Sequence, residues 1–252
     1  GQMKTGTTTI SHPSPFSIAI GAGGRGSTKH GDDAASNGSN TTVQFPAAGL
    51  TAHGGGYGSS NNPSTQTNGA DGTNHPSVPS GSGSGGGASK NASSSAGSGG
   101  PSALGAYPGG SMPGGNHYCG AGGGGAGGAG GRGSDSPGNR TAEQILTDGL
   151  GGIGLQVPTT FRDPKAIYDG VQPGSQWYLA GGGGGGLFNP NPQVNPDKGG
   201  KGGGGAGGGG APTIPGSRGG NGGTNTGGGG GGSGSYNDPT VFYGGHGGSG
   251  IV

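Results

Sequence analysis

Long apolar runs, paired cysteines and blocks of like charge are all missing from this chain. No stretch approaches the roughly 20 consecutive apolar residues of a membrane-spanning helix, so no membrane insertion is expected. No charged segment followed by an apolar one opens the sequence, as a secretory signal would. Cys119 is the only cysteine, which excludes an internal disulfide framework. Eleven basic and ten acidic residues are scattered along the chain, for a net charge of +1. The basic patch of a nucleic-acid binder is therefore absent. The hydrophobic share is 23% and the charged share 8%. These are roughly half and a third of the ordinary shares, too little side chain to fill a normal core.

What is there is glycine: 78 of 252 residues, with 19 prolines. Glycine loses more backbone entropy on folding than any other residue, and chains of this composition are commonly disordered. If such a chain is ordered, its stabilisation has to come mainly from backbone hydrogen bonds and close contact between segments.

The sequence divides into three parts. Residues 1–58 are the most strand-like: 7–10 is rich in threonine, 16–20 reads FSIAI, and TTVQF follows at 41–45, then 50–52 before Gly54, Gly55 and Gly56. Alternation of this kind marks half-buried strands. Residues 59–118 are a Ser/Gly/Asn/Pro tract, by composition a linker or an insertion draped over a scaffold. Residues 119–252 carry the glycine runs, at 120–133, 181–186, 199–210, 219–232 and 244–250. One short helix is expected at 141–148, with Thr141 as N-cap, Gln144 completing a capping box and Gly149 as the stop.

The runs suit extended left-handed helices of the polyglycine II kind, with three residues per turn and about 3.1 Å rise. Such helices have no internal hydrogen bonds, so their N–H and C=O groups are available to neighbours, and without Cβ atoms the backbones can approach closely. A run as long as 120–133 would span roughly 40 Å at that rise. Collagen needs glycine at every third position with abundant proline between, a register absent here. The expected fold is mostly irregular: a bundle of polyglycine II helices, a small β part near the N-terminus and very little α-helix.

The chemical motifs are weak. Gly21, Gly23 and Gly26 fit a G-x-G-x-x-G pattern after a strand, but STKHGDDAAS follows, which is turn material. A dinucleotide site needs a helix there to hold the pyrophosphate, so no cofactor is expected. His117 stands near Cys119, yet near neighbours in sequence seldom face one another as nucleophile and base, and a small, partly buried thiol is favoured. The six histidines show no H-x-x-x-H or H-x-H spacing, and with one cysteine no metal site is expected. The adjacent Asp32 and Asp33 do not flank a substrate as a catalytic carboxylate pair would. Asn37, Asn40, Asn91 and Asn139 open N-x-S/T sequons, a frequency that composition alone accounts for. No catalytic residue is assigned, and the chain is expected not to be an enzyme.

The aromatic residues between the runs are the candidate contacts: Tyr168, Trp177, Tyr178, Phe188, Tyr236, Phe242 and Tyr243. They can cap the glycine bundle or form a recognition tip, since aromatics beside Asn and Asp suit glycan and protein contacts. Structure is favoured for Trp177 and Tyr178; the two readings are even for Tyr236 and Tyr243.

FSIAIGAGG at 16–24, GSNTTVQF at 38–45, LTAHGGG at 50–56, GIGLQVPTTFRDP at 152–164, WYLAGGGGGG at 177–186, NTGGGGGG at 225–232 and GGSGIV at 247–252 together resemble the glycine-rich domains of tailed-bacteriophage fibre proteins, particularly those of marine phages that infect cyanobacteria. The chain is also similar to the polyglycine-helix adhesins of T-even-like phages. The resemblance spans most of the chain outside roughly 59–118. It implies a virion tail-fibre or adhesin module, extracellular, that contacts a host cell-surface glycan or protein through loops on a glycine-helix scaffold. It also implies other virion tail proteins as partners and a homo-oligomer, by analogy a trimer. In that family GGSGIV continues into an apolar strand, whereas this chain stops at Val252, which implies processing or a fragment. The alternatives are a purely architectural capsid fibre, decoration or filament protein, and an ice-binding protein. The latter needs a regular threonine array, which the sequence lacks.

Overall fold

Strands form where β-branched and aromatic residues alternate. In the computed structural model, which describes residues 1–7, 9, 15–26, 35–45, 49–58, 84–85, 87, 105–111, 120–134, 148–158, 177–187, 198–209, 218–233 and 243–252, β1 (Ser17–Ala19), β2 (Thr41–Gln44) and β3 (Gly49–Ala52) make an antiparallel sheet in the order β1-β2-β3. This matches the expectation for 16–20, 41–45 and 50–52. Thr7 and Thr9 are not in a strand. The register sets Ile18 opposite Val43 and Val43 opposite Leu50, so these three share a face. Phe16 and Ile20, two residues either side of Ile18, extend it, and Phe16 meets Phe45 with ring centroids 6.0 Å apart. The face is open to solvent: Ile18 is 47% exposed and Phe16 52%.

A second ribbon was not foreseen. β4 (Leu155–Gln156) pairs antiparallel with β5 (Tyr178–Leu179), so the β part is not confined to the N-terminal region. No α-helix occurs among the described residues. The expected helix at 141–148 lies outside them as far as 147, and Asp148 and Gly149 form a turn.

The remainder of the described chain is joined by backbone hydrogen bonds between segments. Residues 120–126 bond in three directions. The amides of Gly120, Gly123 and Ala126 donate to the carbonyls of Gly186, Gly183 and Ala180; those of Gly122 and Gly125 donate to Gly131 and Gly128; that of Gly124 donates to Gly85. The first two directions recur at every third residue. The same step holds between parallel segments, where Gly181, Gly184 and Leu187 donate to Gly202, Gly205 and Gly208. It also holds between antiparallel ones, where Gly247 and Gly250 donate to Gly24 and Gly21. The last pair joins the opening segments to the closing ones.

The interior is accordingly backbone. Among the described residues its buried apolar side chains are Ala106, Ala121, Ala126, Val157, Ala180 and Leu187, and the largest side chains that are almost wholly buried are Thr226 and Ser84. A Cβ on Gly182 would come within 3.0 Å of the Gly123 carbonyl, and one on Gly231 would meet the Ala206 carbonyl as closely. Real side chains do not approach backbone so closely. The G-x-G-x-x-G stretch has this explanation too: Cβ atoms on Gly21, Gly23, Gly24 and Gly26 would strike the carbonyls of Ser39, Gly247, Ser36 and Gly244. These glycines serve packing between segments.

The long runs are not single rods, contrary to the span expected of them. Run 120–133 folds back through bends at 126–128, run 199–210 turns at 201–203, and run 219–232 turns at 224–227. The reversals draw on the left-handed region: Gly202 and Gly203 have φ of 99° and 89°, and Asn225 has 57°. Glycine takes these values without steric cost, and asparagine tolerates them. Each half of a reversed run then finds its own partners.

The three turns and the β4–β5 ribbon gather at one end, hereafter the turn end, where Ala126 bonds Ala180 and Ala180 bonds Thr226. The other is the exit end, where Gly26, Ser111, Ser134, Leu187, Gly209 and Ser233 stand. The Gly133–Ser111, Gly149–Arg132, Gly185–Gly149, Leu187–Gly208, Gly208–Gly232 and Gly219–Tyr243 bonds tie this rim together.

Gly1 is seated between segments. Its carbonyl accepts from Ser84 Oγ at 2.7 Å, and a Cβ on it would meet the Gly227 carbonyl. Burial lowers its amino group from 8.0 to about 5, so the folded form holds the amine neutral across that window. The unfolded chain takes up a proton below pH 8, and stability falls as pH drops from about 8 towards 5. Denaturation of the chain beginning at Gly1 is expected to show proton uptake on unfolding in that window. Acetylating the amine is expected to remove that part of the slope.

Candidate functional site

At the exit end, two segments bring four polar side chains around one cleft of about 520 Å3, lined by Arg218, Asn221, Tyr243 and His246 together with Gly219, Gly220 and Gly244. The ladder fixes each in place. The Gly219 amide donates to the Tyr243 carbonyl and the Gly222 amide to the His246 carbonyl, so residues 219–222 and 243–246 run side by side. The Arg218 guanidinium carbon lies 4.4 Å from the centroid of the Tyr243 ring, a cation–π stack that holds the fork flat. Asn221 Oδ1 accepts from the His246 amide at 2.9 Å, which leaves its Nδ2 hydrogens for other acceptors. His246 Nδ1 accepts from the Gly26 amide at 3.3 Å, so in the neutral ring the proton sits on Nε2.

Among the described residues the lining is rich in donors and holds no carboxylate. Among the same residues the only acid is Asp148, which is buried, against Lys4, Arg25, Arg132, Lys198, Lys201 and Arg218. The charge of the described residues therefore favours an anion.

The candidate aromatics do not converge. Tyr243 lines the cleft. Trp177 and Tyr178 are half-buried at the opposite end. There the Trp177 carbonyl accepts from the Val157 amide, and Lys201 Nζ lies 5.8 Å from the centroid of the Tyr178 ring. Tyr168, Phe188, Tyr236 and Phe242 lie outside the described residues, as do Cys119, His117, Asp32 and Asp33. Two of the sequons serve the scaffold: Asn40 Oδ1 accepts from the Gly54 amide and Asn37 Oδ1 from the Tyr57 amide, again with a step of three.

Sequence reasoning missed Arg218, Asn221 and His246. Each is a polar residue that interrupts or borders glycine, and that is the only signal they carry alone. No group of three His, Cys, Asp or Glu side chains placed to hold a metal ion occurs among the described residues. No family model matches the chain, and no curated protein or solved structure matches it.

Proposed function

We propose that this chain is a non-enzymatic binding module of a phage tail fibre or adhesin, in which packed polyglycine II helices hold contact residues at one end. The helix type rests on the step of three in the hydrogen-bond ladder, which is the period of a three-residue turn. The observation that carries the functional reading is that the ladder brings Arg218, Asn221, Tyr243 and His246 together around one cleft at the exit end. Binding residues characteristically sit where a rigid scaffold positions them in this way.

Phe188 follows Leu187 directly in the sequence, and Tyr236 and Phe242 closely precede Tyr243. Replacing 188–197, 210–217 and 234–242 together by Gly/Ser sequence is expected to abolish adsorption to host cells while the melting transition of the purified chain stays in place. Undiminished adsorption would overturn the reading. The open apolar face around Ile18, Val43 and Leu50 fits attachment to other virion tail proteins or to further copies in a homo-oligomer, since exposed apolar patches mark interaction surfaces.

That same face also favours a second reading, a purely architectural fibre or filament protein joined to its assembly through the sheet. Electron microscopy of the parent particle separates the two: a distal position supports the adhesin, and a shaft or capsid position supports the architectural protein.

A further inference from the structure

We infer that the Arg218–Asn221–Tyr243–His246 cleft binds an acidic saccharide through the oxyanion of its carboxylate or phosphate group. This rests on the proposed host-contacting role for its biological setting, but the binding chemistry stands on the cleft itself. Its described polar side chains can all donate: the guanidinium fork, the Asn221 amide, whose oxygen is already taken by the His246 amide, and Nε2–H of the neutral His246 ring. No carboxylate among the described residues pairs with Arg218, whose guanidinium carbon lies over the Tyr243 ring. An oxyanion is the ligand group that satisfies such a fork in pairs.

The rest of the cleft points to a sugar as the bearer. Gly219, Gly220 and Gly244 also line it, backbone with no side chain to keep a pyranose ring away. Tyr243 offers an apolar body with a polar tip, the surface that carbohydrate rings use. The volume, about 520 Å3, lies within the range of small-ligand sites and suits one or two sugar units. An acidic peptide would satisfy the fork but has no use for a lining bare of side chains.

The test is a titration of the full 252-residue chain, followed by the NMR signals of the Tyr243 ring, with galacturonate, galactose 6-phosphate, galactose and a short polyglutamate peptide. Saturable shifts with at least one of the two acidic sugars, and none with galactose, are expected. Their relative affinities tell whether carboxylate or phosphate is the preferred oxyanion. Arg218→Gln is expected to weaken binding about tenfold or more, the loss of one charge-assisted pair. Arg218→Lys, which keeps the charge without the fork, is expected to fall between. Arg218 is exposed, so an unchanged melting curve is expected for both variants. Galactose binding as tightly as galacturonate, polyglutamate binding more tightly than either sugar, Arg218→Gln binding undiminished, or no shift with either acidic sugar would each overturn the inference. Host adsorption is scored separately. Acidic-sugar binding that persists while excess sugar leaves adsorption untouched would defeat the tail-fibre role and leave the cleft assignment standing.

Discussion

Gly183→Ala is expected to destabilise the fold by about 3–5 kcal/mol, a large fraction of the usual 5–15 kcal/mol total. A Cβ on Gly183 would meet the carbonyl of Gly230 and come within 3.0 Å of the Gly231 amide nitrogen, both backbone atoms of the adjacent segment. There is no side-chain end to swing aside, so the 228–232 backbone has to move. That segment takes part in the bonds from Gly229 to Gly181, Gly232 to Gly184, Gly205 to Gly229 and Gly208 to Gly232. Overpacking costs about 1–3 kcal/mol, and each bond lengthened out of range adds about 0.5–1.5 kcal/mol. The control is its own partner. Gly123 donates to the Gly183 carbonyl at 2.9 Å, yet a Cβ there would lie 3.6 Å from its nearest neighbour, an ordinary contact. Gly123→Ala is expected to be neutral or to stabilise by about 0.4–1 kcal/mol, because alanine restricts the unfolded chain. Urea denaturation of the two variants decides the matter, and the opposite ranking would remove close backbone packing as the basis of the fold.

The second large effect is expected at Thr226, 1% exposed and one of the two bulkiest side chains almost wholly inside. Its hydroxyl donates to the Gly223 carbonyl at 2.6 Å and accepts from the Gly228 amide at 3.1 Å, closing the turn that contains Asn225. Its side chain also fills the space that a Cβ on Gly203 would need. Thr226→Val keeps the shape and removes both bonds, leaving the buried Gly228 amide and the half-buried Gly223 carbonyl without that partner, and about 2–4 kcal/mol is expected to be lost. Thr226→Ser keeps the bonds and drops a methyl, at about 1 kcal/mol. Valine worse than serine at a buried site reverses the hydrophobic ranking. Equal costs from calorimetry would mean that the hydroxyl contributes nothing.

The N-terminal sheet was legible because FSIAI and TTVQF carry their own alternation, and β1 and β2 fall within those residues, with β3 at the short apolar segment that follows. Segment-to-segment bonding was legible too, since glycine runs have no other source of cohesion. Where the runs bend was not, because identical glycines carry no address. The bends do carry marks in retrospect: Lys201 interrupts one run, Thr224, Asn225 and Thr226 another, and Ala126 stands at the third. The β4–β5 ribbon was invisible because two residues per strand show no period. The cleft was half visible. Tyr243 is conspicuous as an aromatic, but Arg218, Asn221 and His246 acquire meaning only when the ladder sets 218–222 beside 243–246 and Gly26.

The step of three in the ladder sets a rule for how such a protein can change over generations. One residue added inside a segment rotates every later amide a third of a revolution, away from its mate and towards a stranger; three residues added restore the bearing. Within the ladder, insertions and deletions are therefore expected in threes, and a change of one or two residues only where a reversal such as 201–203 or 224–227 can absorb the lost bearing.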